Sequence, residues 1–154
     1  MQPYIHEIVE EAEKKKTLQE RKDYLRQFRH RKALRGLLEI SYNKDIEVLL
    51  PDSDPPYKPS NLPEGMNYTR VDTEFRRFDI FLANGRYPNM NQTKREDLFI
   101  SILESLHPKE AEIFLRAFQH KFKIKGMRTE HINDVFDLNI PTPKKEKKTE
   151  NVSK

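Results

Sequence analysis

The chain has 154 residues, 35% of them apolar and 35% charged, with a net charge of +4 and no cysteine. That length suits one domain with one modest core, and the missing cysteines exclude disulfides, thiolate metal sites and cysteine nucleophiles. No apolar run approaches the roughly 18 residues that cross a bilayer, and the acidic opening from Met1 to Glu13 lacks the basic-then-apolar pattern of a signal peptide, so no membrane association and an intracellular location are expected.

In chain order, Ile5, Ile8, Val9 and Ala12 recur at helical spacing behind Pro3 and predict a first helix ending near Lys15. Thr17 followed by Glu20 reads as a capping box that opens a second helix, with Tyr24, Leu25 and Phe28 turned inward. Leu34, Leu37, Leu38 and Tyr42 form a third amphipathic stretch, whereas Ile46 to Leu50 fits a helical turn or a buried strand equally well. Five prolines between Pro51 and Gly65 rule out helix and central strand there, leaving a long loop that Tyr57 and Leu62 could pin to the body. The path from residue 43 to 70 is otherwise open.

Val71, Phe75, Phe78 and Leu82 predict a helix stopped by Asn84 and Gly85. A second capping box, Thr93 with Glu96, precedes the most apolar stretch of the chain (Leu98, Phe99, Ile102, Leu103, Leu106), which is expected at the centre. Pro108 suits the first turn of the next helix, carrying Ala111, Phe114, Leu115 and Phe118. After a break at Gly126, Thr129 can cap a last short helix with Ile132, Val135 and Phe136. The expectation is an all-α bundle of six or seven short helices spanning residues 1–140, with a Pro-rich loop at 51–65 and a disordered Lys-rich tail at 141–154.

Catalytic signals are missing. The five histidines fall in no spacing that pairs two imidazoles on one helix face, four glycines build no phosphate-cradling loop, and acidic pairs such as Glu10 and Glu13 are what a solvated helix face presents in a chain this charged. No enzyme activity, metal or cofactor is expected. Charge placement says more. Ten cations, among them Lys16, Arg21, Lys22, Arg26, Arg29, Arg31 and Lys32, stand between Lys14 and Arg35 against only Glu20 and Asp23. A second basic segment, Arg116 to Arg128, holds Lys121, Lys123 and Lys125 and no acid. One such run is what a solvated face looks like; two that can converge point to a polyanion. The phenylalanines fall at core spacing, which leaves Tyr24 and Phe122 as the candidates for stacking on bases.

Both ends of the chain resemble the N-terminal helical DNA-binding domain of phage-type ATP-dependent DNA ligases. The first end carries a short helix, the turn Lys14 to Thr17, a basic helix, and Ala33, Leu34, Leu37 and Leu38; the second carries Gly126, Thr129, Ile132, Asn133, Val135, Phe136, Leu138 and Ile140. The Pro-rich middle is not covered. The resemblance implies duplex DNA held through its phosphates, with the Gly126 to Thr129 turn (Gly126, Arg128, Thr129) as a helix-terminal phosphate contact flanked by Arg26, Arg29, Arg31 and Lys32. The nucleotidyltransferase motif K-x-D-G is absent, so no ligation is implied. The whole chain also looks like a family of small proteins from tailed phages related to the T-even group, on Leu49 to Pro51, Pro55, Pro56, Tyr57 and Pro59, Pro63 to Gly65, Lys94 to Glu96, Leu98 to Ile100 and Leu103 to Pro108. That likeness implies a setting in the cytoplasm of an infected bacterium and no particular activity; a role in replication or repair is what the ligase resemblance implies. The rival expectation is an adaptor or inhibitor whose stiff Pro-rich loop docks on a replication protein such as a sliding clamp.

Overall fold

Why the chain folds where it does is clearest at its helix ends. In the computed structural model, which describes residues 2–60 and 68–142, Thr17 accepts from the Glu20 N–H at 3.1 Å while Glu20 accepts from the Thr17 N–H at 3.2 Å, closing the expected capping box. Helix α1 (Ile5–Lys14) precedes it, and α2 (Leu18–Arg26) follows, shorter than expected, so that Phe28 lies in the turns beyond it. Helix α3 (Lys32–Tyr42) buries all four of its predicted apolar positions.

Three expectations are corrected beyond this point. The helix expected over Val71 to Leu82 is one α-turn, α4 (Val71–Glu74), running on into a 3-10 helix (Phe75–Phe81). Tighter winding turns Phe78 and Phe81 into the core and leaves Phe75 partly exposed. The Thr93–Glu96 box does not form: α5 (Gln92–Ser105) begins two residues earlier, because the Asn91 side chain accepts from the Lys94 N–H at 3.0 Å and Asn is as good an N-cap as Thr. Nor does Thr129 cap α7 (Thr129–Phe136); Arg128 occupies that position, and His131 Nδ1 accepts its N–H at 3.0 Å. Helix α6 (Pro108–Ala117) starts on proline as expected. Ile46 to Leu50, open between helix and strand, is extended: Val48 bridges Leu82 antiparallel, and the Leu49 N–H donates to Phe81 O at 2.8 Å.

The described residues therefore make an all-α fold of seven helices. Helices α3 and α6, rather than α5, are central: α6 packs on α1, α3 and α5, and α3 on α4, α6, α7 and the 3-10 helix. For α6 the reason is aromatic: Phe114 and Phe118 sit among Phe78, Phe81 and Phe99, with neighbouring ring centroids 4.9–5.7 Å apart. Such pairs add about 0.5–1.5 kcal/mol each beyond the area they bury. The Pro-rich loop is anchored rather than free. Arg116 donates to Asp54 at 2.9 and 3.1 Å and Gln119 at 2.7 Å, and these bonds, Arg116 first, hold the Asp54 carboxyl down to about 2. Tyr57 packs against the core as expected, whereas Leu62 and the tail from residue 143 lie outside the described residues.

Polar groups lock the helices together. Arg31 reaches Asp72 with two bonds of 2.9 Å and the Pro3 carbonyl at 2.6 Å, joining α3, α4 and the start of α1. Near this junction His107, the N-cap of α6, accepts the Lys109 N–H on Nδ1 at 3.0 Å and stacks on His6 at 4.6 Å. Burial, then the neighbouring His6, pulls the His107 pKa below its usual 6.5. The folded state thus favours neutral His107, so its contribution to stability is complete above 6.5 and is lost as pH falls below that value through the lower folded pKa. Urea melts between pH 7.5 and 5.5 should show stability falling with acid in the wild type and falling less in His107→Asn, which keeps a capping oxygen and has no proton to gain.

Candidate phosphate-binding groove

The local pattern of Lys121 to Lys125 places the site. Lys121, Lys123 and Lys125 are exposed while Phe122 and Ile124 are buried, so the segment is extended with its lysines on the outer side and its apolar residues in the core. Side chains of α3 hold it there. Ser41 Oγ donates to Phe122 O at 2.6 Å, and the Tyr42 hydroxyl accepts the Ile124 N–H at 3.0 Å and donates to Met127 O at 2.9 Å. Burial pushes Tyr42 up to about 12, so its hydroxyl stays protonated and able to donate. Lys123 lies over the Tyr42 ring, 4.0 Å from its centroid, and burial followed by Lys44 lowers the pKa of its ammonium.

Gly126 then turns the chain at φ +78, a conformation suited to glycine. The Arg21 guanidinium packs against it, with Nη1 2.6 Å from where a Cβ would lie. Gly126→Ala should therefore cost about 1–2 kcal/mol in backbone strain alone, with more for displacing Arg21, read as a lower urea midpoint. Beside this turn Leu18, Lys123, Lys125, Arg128, Thr129 and His131 line an open groove. Helices α2 and α7 lie side by side, Arg21 meeting Gly126 and Lys22 and Arg26 meeting Asp134. The first residues of both, Leu18 and Thr129, line the groove. Of the α7 first turn, the Thr129 and Glu130 N–H groups take no acceptor among the described residues, and Glu13 stands at the rim, accepting the Lys125 N–H at 3.0 Å.

The two basic segments meet where Arg21 packs on Gly126, and the expected cations divide into those already paired and those left without an ion pair. Lys22 and Arg26 are paired with Asp134 at 2.6 and 3.2 Å. Arg31 is spent on Asp72 and Pro3, and Arg21 on the carbonyls of Ala12 and Lys15 at 3.3 and 3.0 Å. Lys32 lies elsewhere, beside His30, Asp72 and Arg76, and Arg29 is half-buried with no ion pair among the described residues. Lys16, Lys121, Lys123, Lys125 and Arg128 are exposed and form no ion pair among the described residues. Neither expected stacking aromatic is available: Phe122 is buried, and Tyr24 packs edge-on to Phe28 with Lys15 over its ring. Leu18 and His131, which line the groove, were not among the expected site residues; the alternation of lysine with Phe122 and Ile124 was the available signal for an extended rail.

Among the described residues no group of three or more His, Cys, Asp or Glu could hold a metal, and no helix is long and apolar enough to cross a membrane. Comparison with curated proteins finds no match, and comparison with solved structures finds none either. A family model does match, over residues 8–124, from within α1 to Ile124, short of Lys125 and α7. The chain accordingly belongs to the family described as a family of unknown function, DUF6433.

Proposed function

We propose that this chain is a non-enzymatic module that grips duplex DNA through its phosphates, with little dependence on sequence. The observation that carries the reading is the exposed rail of Lys121, Lys123 and Lys125, which forms no ion pair among the described residues and whose Lys123 and Lys125 line the groove leading into the first turn of α7. Same-side residues of an extended chain repeat about every 6.6 Å, which suits successive phosphates of one strand. The free N–H groups of Thr129 and Glu130 supply the fixed donors that anionic oxygens find at helix N-termini. Duplex is favoured over single strands because the groove offers no exposed aromatic platform, Tyr42 and Phe122 both being buried. The resemblance to ligase DNA-binding domains points the same way and supports a role in phage DNA replication or repair in the host cytoplasm. The rival adaptor reading rests on the Pro-rich loop, which Asp54 ties to α6 and which stays exposed at Pro51, Pro56 and Pro59; a complex with a protein that survives nuclease and high salt would favour it over DNA binding.

Titration of labelled nicked, intact and single-stranded DNA at several salt concentrations tests this. With about four to five phosphate contacts, log K should fall with log salt at a slope of about −4 for duplex; a flat response, or preference for single strands, rejects it. Asp134 refines the test. Its carboxylate, held low chiefly by Lys22 and then Arg26, occupies two cations beside the groove. Asp134→Asn should tighten duplex binding and steepen the slope by up to about 2, as two freed cations take phosphates.

A further inference from the structure

A cavity of about 160 Å³ lies between the Pro-rich loop and helices α5 and α6, on a part of the surface separate from the lysine groove. Its floor is Phe99, Leu115 and Phe118, and its roof Pro51, Pro55 and Pro56. Those prolines carry no N–H, so the roof presents an apolar surface with few donors of its own. The roof is also held in place: the Gln92 side chain donates to Leu49 O at 2.9 Å, Asp54 is bound by Arg116 and Gln119, and the Lys58 N–H donates to Glu104 at 2.9 Å. Prolines of fixed φ between such anchors cannot collapse into the space below. An apolar cavity costs stability in proportion to its volume, which is offset when a ligand fills it.

We propose that this cavity binds a free small molecule consisting of one six-membered apolar ring and a short arm ending in an ammonium or N–H donor. The volume sets the ring, since an apolar cavity of roughly 150 Å³ accepts benzene. The mouth sets the arm. Asp54, Glu96 and Gln119 stand there; both Asp54 oxygens are taken by Arg116 and Gln119, whereas Glu96 gives one oxygen to Gln92 at 2.9 Å and its other has no partner among the described residues. Edge and face of Phe99 and Phe118, already 5.7 Å apart by centroid, contact the ring. A free molecule is favoured over a protein partner because the exposed large apolar residues, Leu18, Phe75 and Tyr87, lie outside the cavity lining, which leaves the exposed faces of Pro51 and Pro56 as a small apolar edge among the polar Ser53, Asp54 and Gln119.

Phenethylamine titrated into the full chain, followed by methyl NMR of Leu50, Ile100 and Leu115, should give saturable shifts centred on those groups. Glu96→Gln should weaken phenethylamine several-fold and leave ethylbenzene unchanged, and Ile100→Phe or Leu115→Phe, whichever stays folded by circular dichroism, should abolish both. Absence of saturable shifts up to millimolar probe, equal loss of both probes in Glu96→Gln, or binding that survives in a folded filled variant overturns the proposal. So does a phenylalanyl-lysyl peptide that binds more than about tenfold tighter than phenethylamine, which would assign the cavity to a protein partner. The wild-type comparison of phenethylamine with ethylbenzene decides the matter should neither filled variant fold, tighter phenethylamine supporting the proposal and equal affinity rejecting it.

Discussion

Glu110→Ala is expected to lower the unfolding free energy by roughly 3–5 kcal/mol, since it leaves several buried donors without an acceptor at about 1–3 kcal/mol each. Glu110 is 1% exposed and sits in the first turn of α6. It accepts from the Ile5 N–H at 3.3 Å, the His6 N–H at 2.6 Å and the His6 ring at 2.8 Å. One carboxylate thus satisfies the first donors of α1 from a different helix, and the favourable ends of two helix dipoles converge on it. Alanine leaves those N–H groups buried without acceptors, in a protein whose total stability is on the order of 5–15 kcal/mol. Glu110→Gln keeps one acceptor oxygen and should cost only about 1–3 kcal/mol. Urea denaturation measures both, and a loss under about 1 kcal/mol for alanine would mean that α1 is held by its apolar face alone.

Reversing Lys123, Lys125 and Arg128 to glutamate together should reduce duplex affinity at least about a hundredfold near physiological salt, since three counterion-releasing contacts become repulsions. The fold should survive, because all three side chains are exposed and none forms an ion pair among the described residues. Lys123 gives up its position over Tyr42, worth about 0.5–1 kcal/mol at a surface site. The matched control, Arg26→Glu with Lys32→Glu, should change affinity far less, as Arg26 is already committed to Asp134 and Lys32 lies by Asp72. Gel shifts on duplex with circular dichroism of each variant separate lost binding from lost structure. Undiminished binding by the triple variant would remove the groove from consideration.

Much of the architecture was legible because it depends on neighbours in the chain. The Thr17–Glu20 box, Pro108 at a helix start and the apolar faces of α1 and α3 need only three- and four-residue spacings. The misplaced features involve choices among local alternatives. Asn91 and Thr93 are both competent caps, and Asn91 prevails where Arg95, two residues beyond Thr93, is drawn into the core to bind the carbonyls of Ile80 and Tyr87 at 2.9 and 2.6 Å. Likewise Ile46 to Leu50 extends because the 3-10 helix presents Phe81 O and a pairing edge to it.

What the amino-acid order alone determined is the helical class, the apolar faces and the existence of two cationic segments, since periodicity and composition are properties of consecutive residues. Which cations remain available was settled only in three dimensions. Asp72 and Asp134, 41 and 108 residues from Arg31 and Arg26, reach them through folding and take their charge. A linear charge count cannot register that, because pairing depends on distance in space, and it is this pairing that narrows the candidate site from two converging basic segments to the lysine rail beside α7.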